Sequence, residues 1–410
     1  ARFYNQLTYA SLSAEIPLEH ARVGFVADSR EEAVELLQTA IDLLQKQSGE
    51  AWEHPKGIFY RKTGMDPKGK VVALFSGQGS QYLEMGRELA CNFPPLRQAV
   101  SDMDALFTAD GLEPLSSRIY PPPVFDQAAR DKLSDVLTRT EHAQPAIGSI
   151  SVGLYKLLQA AGFAPDFAAG HSFGELTALW ASGVLGDQDY YFLAKSRGKA
   201  MSAPDDPTFD TGTMLAVKGD ALKVKQDIQA FPEITLANWN SDSQVVLAGS
   251  KAEIARVQQF LTEKGYSVVQ LPVSAAFHTP LVGHAQKPFA QAIDKAKFHK
   301  PAVRLFSNTS GKAHSGDPEE IRKVLKGHIL NPVLWRDEIE NIYAEGGYFF
   351  VEFGPKNVLT NLVKSILGDR PHLAVALNAT PKKDSDRLFR EAVVQQRVPG
   401  PALQNVDPYL

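Results

Sequence analysis

The chain has a single cysteine, Cys91, which rules out an internal disulfide. A lone thiol suits a reducing compartment, so a cytoplasmic protein is expected. No reactive-thiol motif surrounds Cys91, which reads as a small buried apolar residue. Long hydrophobic runs are missing as well. Nothing approaches the ~20 apolar residues that span a bilayer, so no membrane partner is expected. Nor is there a basic excess: 43 lysines and arginines stand against 47 aspartates and glutamates, a formal charge of −4. A nucleic-acid surface needs the opposite balance. The glycine-rich turns lack GxGxxG spacing and a Walker lysine, which argues against a nucleotide site. Ala1 stands where an initiator methionine is absent, and reads as the start of a piece excised from a longer polypeptide or of a trimmed chain.

What is present is an ordinary globular composition, 44% hydrophobic and 22% charged over 410 residues, enough for more than one domain. The organising stretch is Gly170-His171-Ser172-Phe173-Gly174-Glu175. It follows the apolar run Phe167-Ala168-Ala169 and precedes a helix-like segment from Glu175 to Ser182. A Gly-x-Ser-x-Gly at a strand-to-helix turn is a nucleophile-elbow arrangement, with the hydroxyl lifted above the sheet and free helix N–H groups beside it.

Residues 1–69 read as a small α/β unit with no visible chemistry. It has a strand at Arg22–Ala27, an N-cap at Ser29 with Glu32 in the capping-box position, and a helix placing Val34, Leu37, Ile41 and Leu44 on its apolar face. Val71–Phe75 reads as a buried strand opening into Ser76-Gly77-Gln78-Gly79, where Gln78 can hold its side-chain amide over a site. A helix starts at Pro145, in the position proline favours. From Thr213 to Pro272 the elements run βαββαβ, the ferredoxin-like order. His278 follows at a strand-to-helix junction, with His284 inside the helix as the bland alternative. Lys218, Lys223 and Lys225, and Lys295, Lys297 and Lys300, form two local basic clusters within the overall charge balance. The expected fold is α/β: a large α/β-hydrolase-like part over 70–212 and 273–370, with a ferredoxin-like insert over 213–272. A linker unit over 1–69 precedes it, and a segment over 371–410 wraps back over another domain.

Phe75-Ser76-Gly77-Gln78-Gly79-Ser80-Gln81, the elbow, Ser196-Arg197-Gly198-Lys199, Asn238-Trp239-Asn240, Ala276-Phe277-His278 and Asn331-Pro332-Val333-Leu334-Trp335 together resemble the malonyl-CoA:acyl-carrier-protein transacylase family. That family includes the acyltransferase domains of polyketide and polyunsaturated fatty-acid synthases. The resemblance spans roughly residues 70–367, and the unit before it resembles a ketosynthase-to-acyltransferase linker. It implies Ser172 as nucleophile, His278 as base, Gln78 and the Phe173 N–H as oxyanion hole, and the main-chain carbonyl of His328 as the group orienting the imidazole. It further implies Arg197, Phe277, Gln144 and Asn238 as substrate-binding residues. Arg197 would hold the malonyl carboxylate through paired hydrogen bonds, and Phe277 and Phe173 would favour malonyl over methylmalonyl. No metal and no tightly bound cofactor are implied. The partners would be malonyl-CoA, the phosphopantetheine thiol of an acyl carrier protein and a neighbouring ketosynthase. Two alternatives stay open on the residues alone: a serine esterase or thioesterase, and an inactive docking scaffold.

Overall fold

The computed structural model describes residues 16–65, 68–202, 210–273 and 275–399, with positions 6, 10, 204 and 408 standing alone. Ser274, most of the 204–212 break and the proline-containing tail beyond 399 lie outside the described residues. The strands in chain order are β1 (Arg22–Gly24), β2 (Ala51–His54), β3 (Ile58–Arg61), β4 (Lys70–Phe75), β5 (Phe167–Gly170), β6 (Thr213–Lys218), β7 (Thr235–Ser241), β8 (Gln244–Gly249), β9 (Ser267–Gln270), β10 (Arg304–Leu305), β11 (Gly347–Pro355) and β12 (Leu373–Asn378).

A parallel sheet of order β10-β5-β4-β11-β12 forms the centre. Its strands are near-continuous apolar runs because helices cover both faces, as parallel sheets require. Alternation along each strand sends side chains to two separate cores. Val71, Ala73 and Phe75 of β4 face the larger one with Phe349, Val351 and Phe353 of β11. Val72 and Leu74 face the other, with Phe167, Ala169 and Phe350. Burying a side chain of this size contributes about 1.5–3 kcal/mol, so the strand ends that carry loops are firmly held.

Between Thr213 and Gln270 the chain makes an antiparallel sheet of order β7-β8-β6-β9, with helices Ala221–Asp227 and Lys251–Glu263 between its strands. One face, including Leu215, Val217, Val245 and Leu247, packs on those helices. The other, through Met214, Val246 and Ala248, joins the larger core. The edge strand β7 is also tied to the rest of the chain by main-chain bonds: Trp239 N–H donates to Val333 O (2.8 Å), and Val333 N–H to Ala237 O (2.8 Å).

The C-terminal helix Ser385–Arg397 lies against β12 and β1, and its Arg387 pairs with Asp28 (2.6 Å) and Glu32 (2.7 Å). β3 pairs with both β1 and β2.

Three local expectations are corrected. The helix Arg30–Lys46 is capped by Ser29 Oγ, which accepts from Glu32 N–H (3.1 Å), yet it buries Ala33, Leu36 and Ala40. Val34, Leu37, Ile41 and Leu44 are exposed. Small Ala33 and Ala40 allow close approach, and that approach selects the buried face. The helix containing Pro145 begins at Thr140, so Pro145 lies inside it rather than at its start. Proline lacks one N–H, which removes a single internal bond near the helix start and leaves the largely buried remainder intact. Cys91 is exposed, not buried.

Candidate active site

Three neighbouring strands of the parallel sheet deliver loops to one place. β4 leads into the Ser76–Gly79 turn, β5 into the elbow, and β10 into the segment carrying Asn308. The Phe75–Gly170 register sets the first two side by side. Ser172 has φ 53° and ψ −108°, a left-handed conformation that costs a non-glycine residue about 1–3 kcal/mol. Both flanking glycines are dictated by contact. A Cβ on Gly170 would sit 2.0 Å from Gly174 O, and one on Gly174 would sit 1.9 Å from Phe75 O. The chain can make this turn against β4 only without those carbons.

Ser172 Oγ lies 2.7 Å from His278 Nε2. The other ring nitrogen faces carbonyl oxygens, Asn331 O at 2.8 Å and His328 O at 3.3 Å. Carbonyls only accept, so Nδ1 carries the hydrogen and Nε2 is left as the acceptor for the serine hydroxyl. Burial, followed by the fields of His328 and Arg197, holds His278 well below the ordinary imidazole value. The ring is therefore neutral and ready to take a proton. The shorter orienting bond goes to Asn331, which the sequence reading did not single out, while the His328 carbonyl is the longer partner.

Arg197, fully buried on helix Asp187–Ala200, brings Nη2 to 3.5 Å from Ser172 Oγ. Its Nη1 donates to Gln144 Oε1 (2.7 Å), and Gln144 Nε2 donates to Gln78 Oε1 (3.2 Å). Phe173 lies under the guanidinium at 5.7 Å. Burial pushes the Arg197 pKa down while Glu175 opposes the shift. A guanidinium nevertheless stays charged at neutral pH. Among the described residues its Nε has no hydrogen-bond partner.

The side chain of Gln78 is engaged elsewhere. Its Nε2 donates to Thr138 O (3.3 Å) and Thr140 Oγ1 (3.2 Å), and its Oε1 takes the Gln144 bond. The side-chain amide expected over the site is thus turned to these neighbours instead. Among the described residues, the N–H groups of Gln78 and Phe173 make no hydrogen bond.

Phe277 is buried beside His278. Asn238 forms a bridge with Val333, and among the described residues its buried Oδ1 has no hydrogen-bond partner. Two residues on, Asn240 Oδ1 accepts from His171 Nε2–H (2.8 Å). Burial pushes His171 down to about 4, so it is a neutral donor. His284 bonds Ser202 O (3.3 Å), apart from this chemistry.

Behind the elbow lies a cluster no motif announced. Glu175 Oε1 accepts from His314 Nε2–H (2.8 Å), and Oε2 from His328 Nε2–H (3.1 Å) and Asn308 N–H (2.9 Å). Burial raises the Glu175 pKa, but the two imidazoles outweigh it and hold the carboxyl well below the usual range. Glu338 is the reverse: burial, then the charge of Glu175, pushes it well above. Among the described residues no group of three or more His, Cys, Asp or Glu is arranged to hold a metal ion, and no helix is long and apolar enough to cross a membrane.

Comparison with known proteins supplies the family. The chain is 36% identical over 405 residues to a subunit of the polyunsaturated fatty acid synthase of Thraustochytrium sp., covering 96% of this chain but only 14% of that protein. It is 31% identical over 303 residues to the malonyl CoA-acyl carrier protein transacylase of Bacillus subtilis, covering 72% of this chain and 90% of that one. The crystal structure of the acyltransferase domain from the second module of the salinomycin polyketide synthase superposes with a TM-score of 0.75 at 28% identity, over 97% of this chain and 90% of that one. Residues 72–400 match the acyl transferase domain family, and the chain belongs to it.

Proposed function

We propose that the chain transfers a malonyl group from malonyl-CoA to the phosphopantetheine thiol of an acyl carrier protein, through an ester on Ser172. The observation that carries this reading is the convergence on one oxygen: His278 Nε2 lies 2.7 Å and Arg197 Nη2 3.5 Å from Ser172 Oγ. A base and a buried cation beside one nucleophile suit an acyl donor that ends in a carboxylate.

In the first half-reaction His278 Nε2 takes the Oγ proton as Oγ bonds to the thioester carbon. The carbonyl oxygen becomes an oxyanion, received by the main-chain N–H groups of Phe173 and Gln78. A single such donor is worth about 2.7–4 kcal/mol. Collapse breaks the C–S bond, and His278 returns the proton to the departing CoA sulfur. In the second half the carrier thiol gives its proton to His278, attacks the ester, and Ser172 leaves as the reprotonated alcohol. No step calls for a metal or a tightly bound cofactor.

Gln144 braces Arg197 against the malonyl carboxylate, and the bulk of Phe277 and Phe173 disfavours an α-methyl group by ~1–3 kcal/mol. In this reading residues 70–212 and 273–370 form the α/β-hydrolase-like catalytic part, and 213–272 a ferredoxin-like insert. Residues 1–69 and 371–410 are linkers within a cytoplasmic fatty-acid or polyketide synthase that also holds a ketosynthase. Lys218, Lys223 and Lys225, or Lys295, Lys297 and Lys300, all exposed, would receive an acidic carrier.

A hydrolase is the second reading, and the partners of His278 Nδ1 count against it. Both are carbonyl oxygens, whereas α/β-hydrolases orient their histidine with an acid. Intact-protein mass spectrometry after malonyl-CoA exposure tests the proposal. The wild type should gain one malonyl mass and pass it to a carrier thiol, and Ser172→Ala should gain none. A labelled Ser172→Ala protein would exclude Ser172 as nucleophile.

A further inference from the structure

The hydrogen bonds of one buried side chain span the whole elbow. Asn308 Oδ1 accepts the main-chain N–H of Ser172 at 2.6 Å. Its Nδ2 donates to Gly170 O (2.7 Å) and Glu338 Oε2 (2.8 Å), and its own N–H donates to Glu175 Oε2 (2.9 Å). Gly170 and Ser172 are thus tied to one side-chain amide with no exposure to solvent, and Glu175 to the main-chain N–H of the same residue.

The residue type follows from the partners. Ser172 N–H can only donate and Gly170 O can only accept, which fixes the orientation of the amide and requires a donor and an acceptor on one short side chain. Aspartate would keep the acceptor and lose both donors. Alanine would leave the Ser172 N–H and the Gly170 carbonyl buried and unpaired. Ser172 has left strand geometry at φ 53°, so its N–H has no ladder partner, and Asn308 supplies the missing one.

We propose that Asn308, braced by Glu338, is the positioning residue that holds Ser172 in its left-handed conformation and so sets the Oγ–His278 alignment on which acyl transfer depends. It acts through Ser172 and touches no reacting atom. The inference rests on Ser172 being the nucleophile. Small misplacement of a reacting atom lowers rate far more than affinity when substrate is held by other groups. Arg197 and Gln144, on other helices, do the holding.

The test compares single-turnover acylation by malonyl-CoA in Asn308→Ala, Asn308→Asp and the double variant Asn308→Asp with Glu338→Gln. Thermal melting confirms folding in each case. The expected result for Asn308→Ala is a saturating acylation rate lowered about 10–100-fold with the half-saturating malonyl-CoA concentration changed less than about threefold. Asn308→Asp should be slowed comparably, because two carboxyl groups then face each other. Adding Glu338→Gln restores a donor across that contact, though not the one to Gly170 O, and should recover part of the lost rate. A folded Asn308→Ala protein acylating at the wild-type rate overturns the proposal. So does a double variant no faster than Asn308→Asp. If the alanine variant fails to fold, the isosteric aspartate pair decides through the presence or absence of rescue. Failure of the underlying reading looks different: Ser172→Ala would still be labelled, whatever the Asn308 variants do.

Discussion

The two sides of Ser172 are built on opposite terms. In front of it the polar groups are short of partners: Arg197 Nε has none, and the N–H groups of Gln78 and Phe173 make no bond among the described residues. Behind it, Asn308 uses both amide hydrogens, its oxygen and its main-chain N–H. The difference teaches where rigidity and unmet bonding capacity belong. Groups that must meet charge arriving with a substrate are left unpaired in a fixed frame, so their interaction energy is realised on the reacting molecule. The frame needs its own bonds satisfied, because an unpaired buried group there would only destabilise the fold.

The sharpest way to break this contrast is to remove the base in front. His278→Ala should lower the rate of CoA release at saturation by at least about 10⁴-fold while melting within a few degrees of wild type; a loss below tenfold would take His278 out of the chemistry. Next is Arg197→Ala. It should cut kcat/KM for malonyl-CoA by about 10²–10³-fold and that for acetyl-CoA far less, since a charge-assisted pair is lost only with the carboxylated donor. Equal losses for the two donors would mean that the cation serves the fold rather than the substrate.

The frame should answer in stability. Glu175→Gln is expected to cost about 3 kcal/mol in urea unfolding at pH 7, because a paired buried carboxylate is removed from two imidazoles. The depressed pKa of Glu175 makes its contribution complete above the unfolded value near about 4.3, and the contribution fades as pH falls below that. The variant should therefore show a shallower acid limb. Glu338→Gln should change stability by less than about 1 kcal/mol below about pH 4, where a neutral amide replaces a carboxyl that is neutral in folded and unfolded chain alike, and should become the more stable of the two as pH rises. The raised pKa gives the opposite sign: wild-type stability declines as pH rises from about 4.3 toward the folded pKa of Glu338. That decline should be absent in Glu338→Gln. Matching pH profiles for the two variants would remove the distinction drawn between the two carboxyl groups.

The front of the site was readable in the amino-acid sequence and the back was not, for a physical reason. Ser172, His278 and Arg197 sit in short local patterns, and the elbow glycines are fixed by contacts within the turn and with the neighbouring β4. Asn308 earns its place through partners 136 and 138 residues away, and Ser307-Asn308-Thr309 carries no periodic or motif signal. Gln78 was visible as a residue, but whether a turn presents its side chain or its main chain depends on what stands nearby, here Thr138, Thr140 and Gln144. The strands were legible because burial on both faces leaves long apolar runs. The helix Arg30–Lys46 was legible as a helix, but not which of its two apolar stripes faces inward. Periodicity reports a face, and only the neighbours' shape reports which one is covered.

The surface position of Cys91 on the helix Arg87–Asn92 bears on how acyl occupancy is measured. It is the one sulfhydryl in the chain, and so the one side chain able to compete for activated malonate by thioester exchange. Capping it with iodoacetamide beforehand adds a fixed mass and leaves an oxygen ester as the remaining product. Hydroxylamine lability then reports on the alcohol alone, and the same handle accepts a single fluorophore for following carrier encounter in real time.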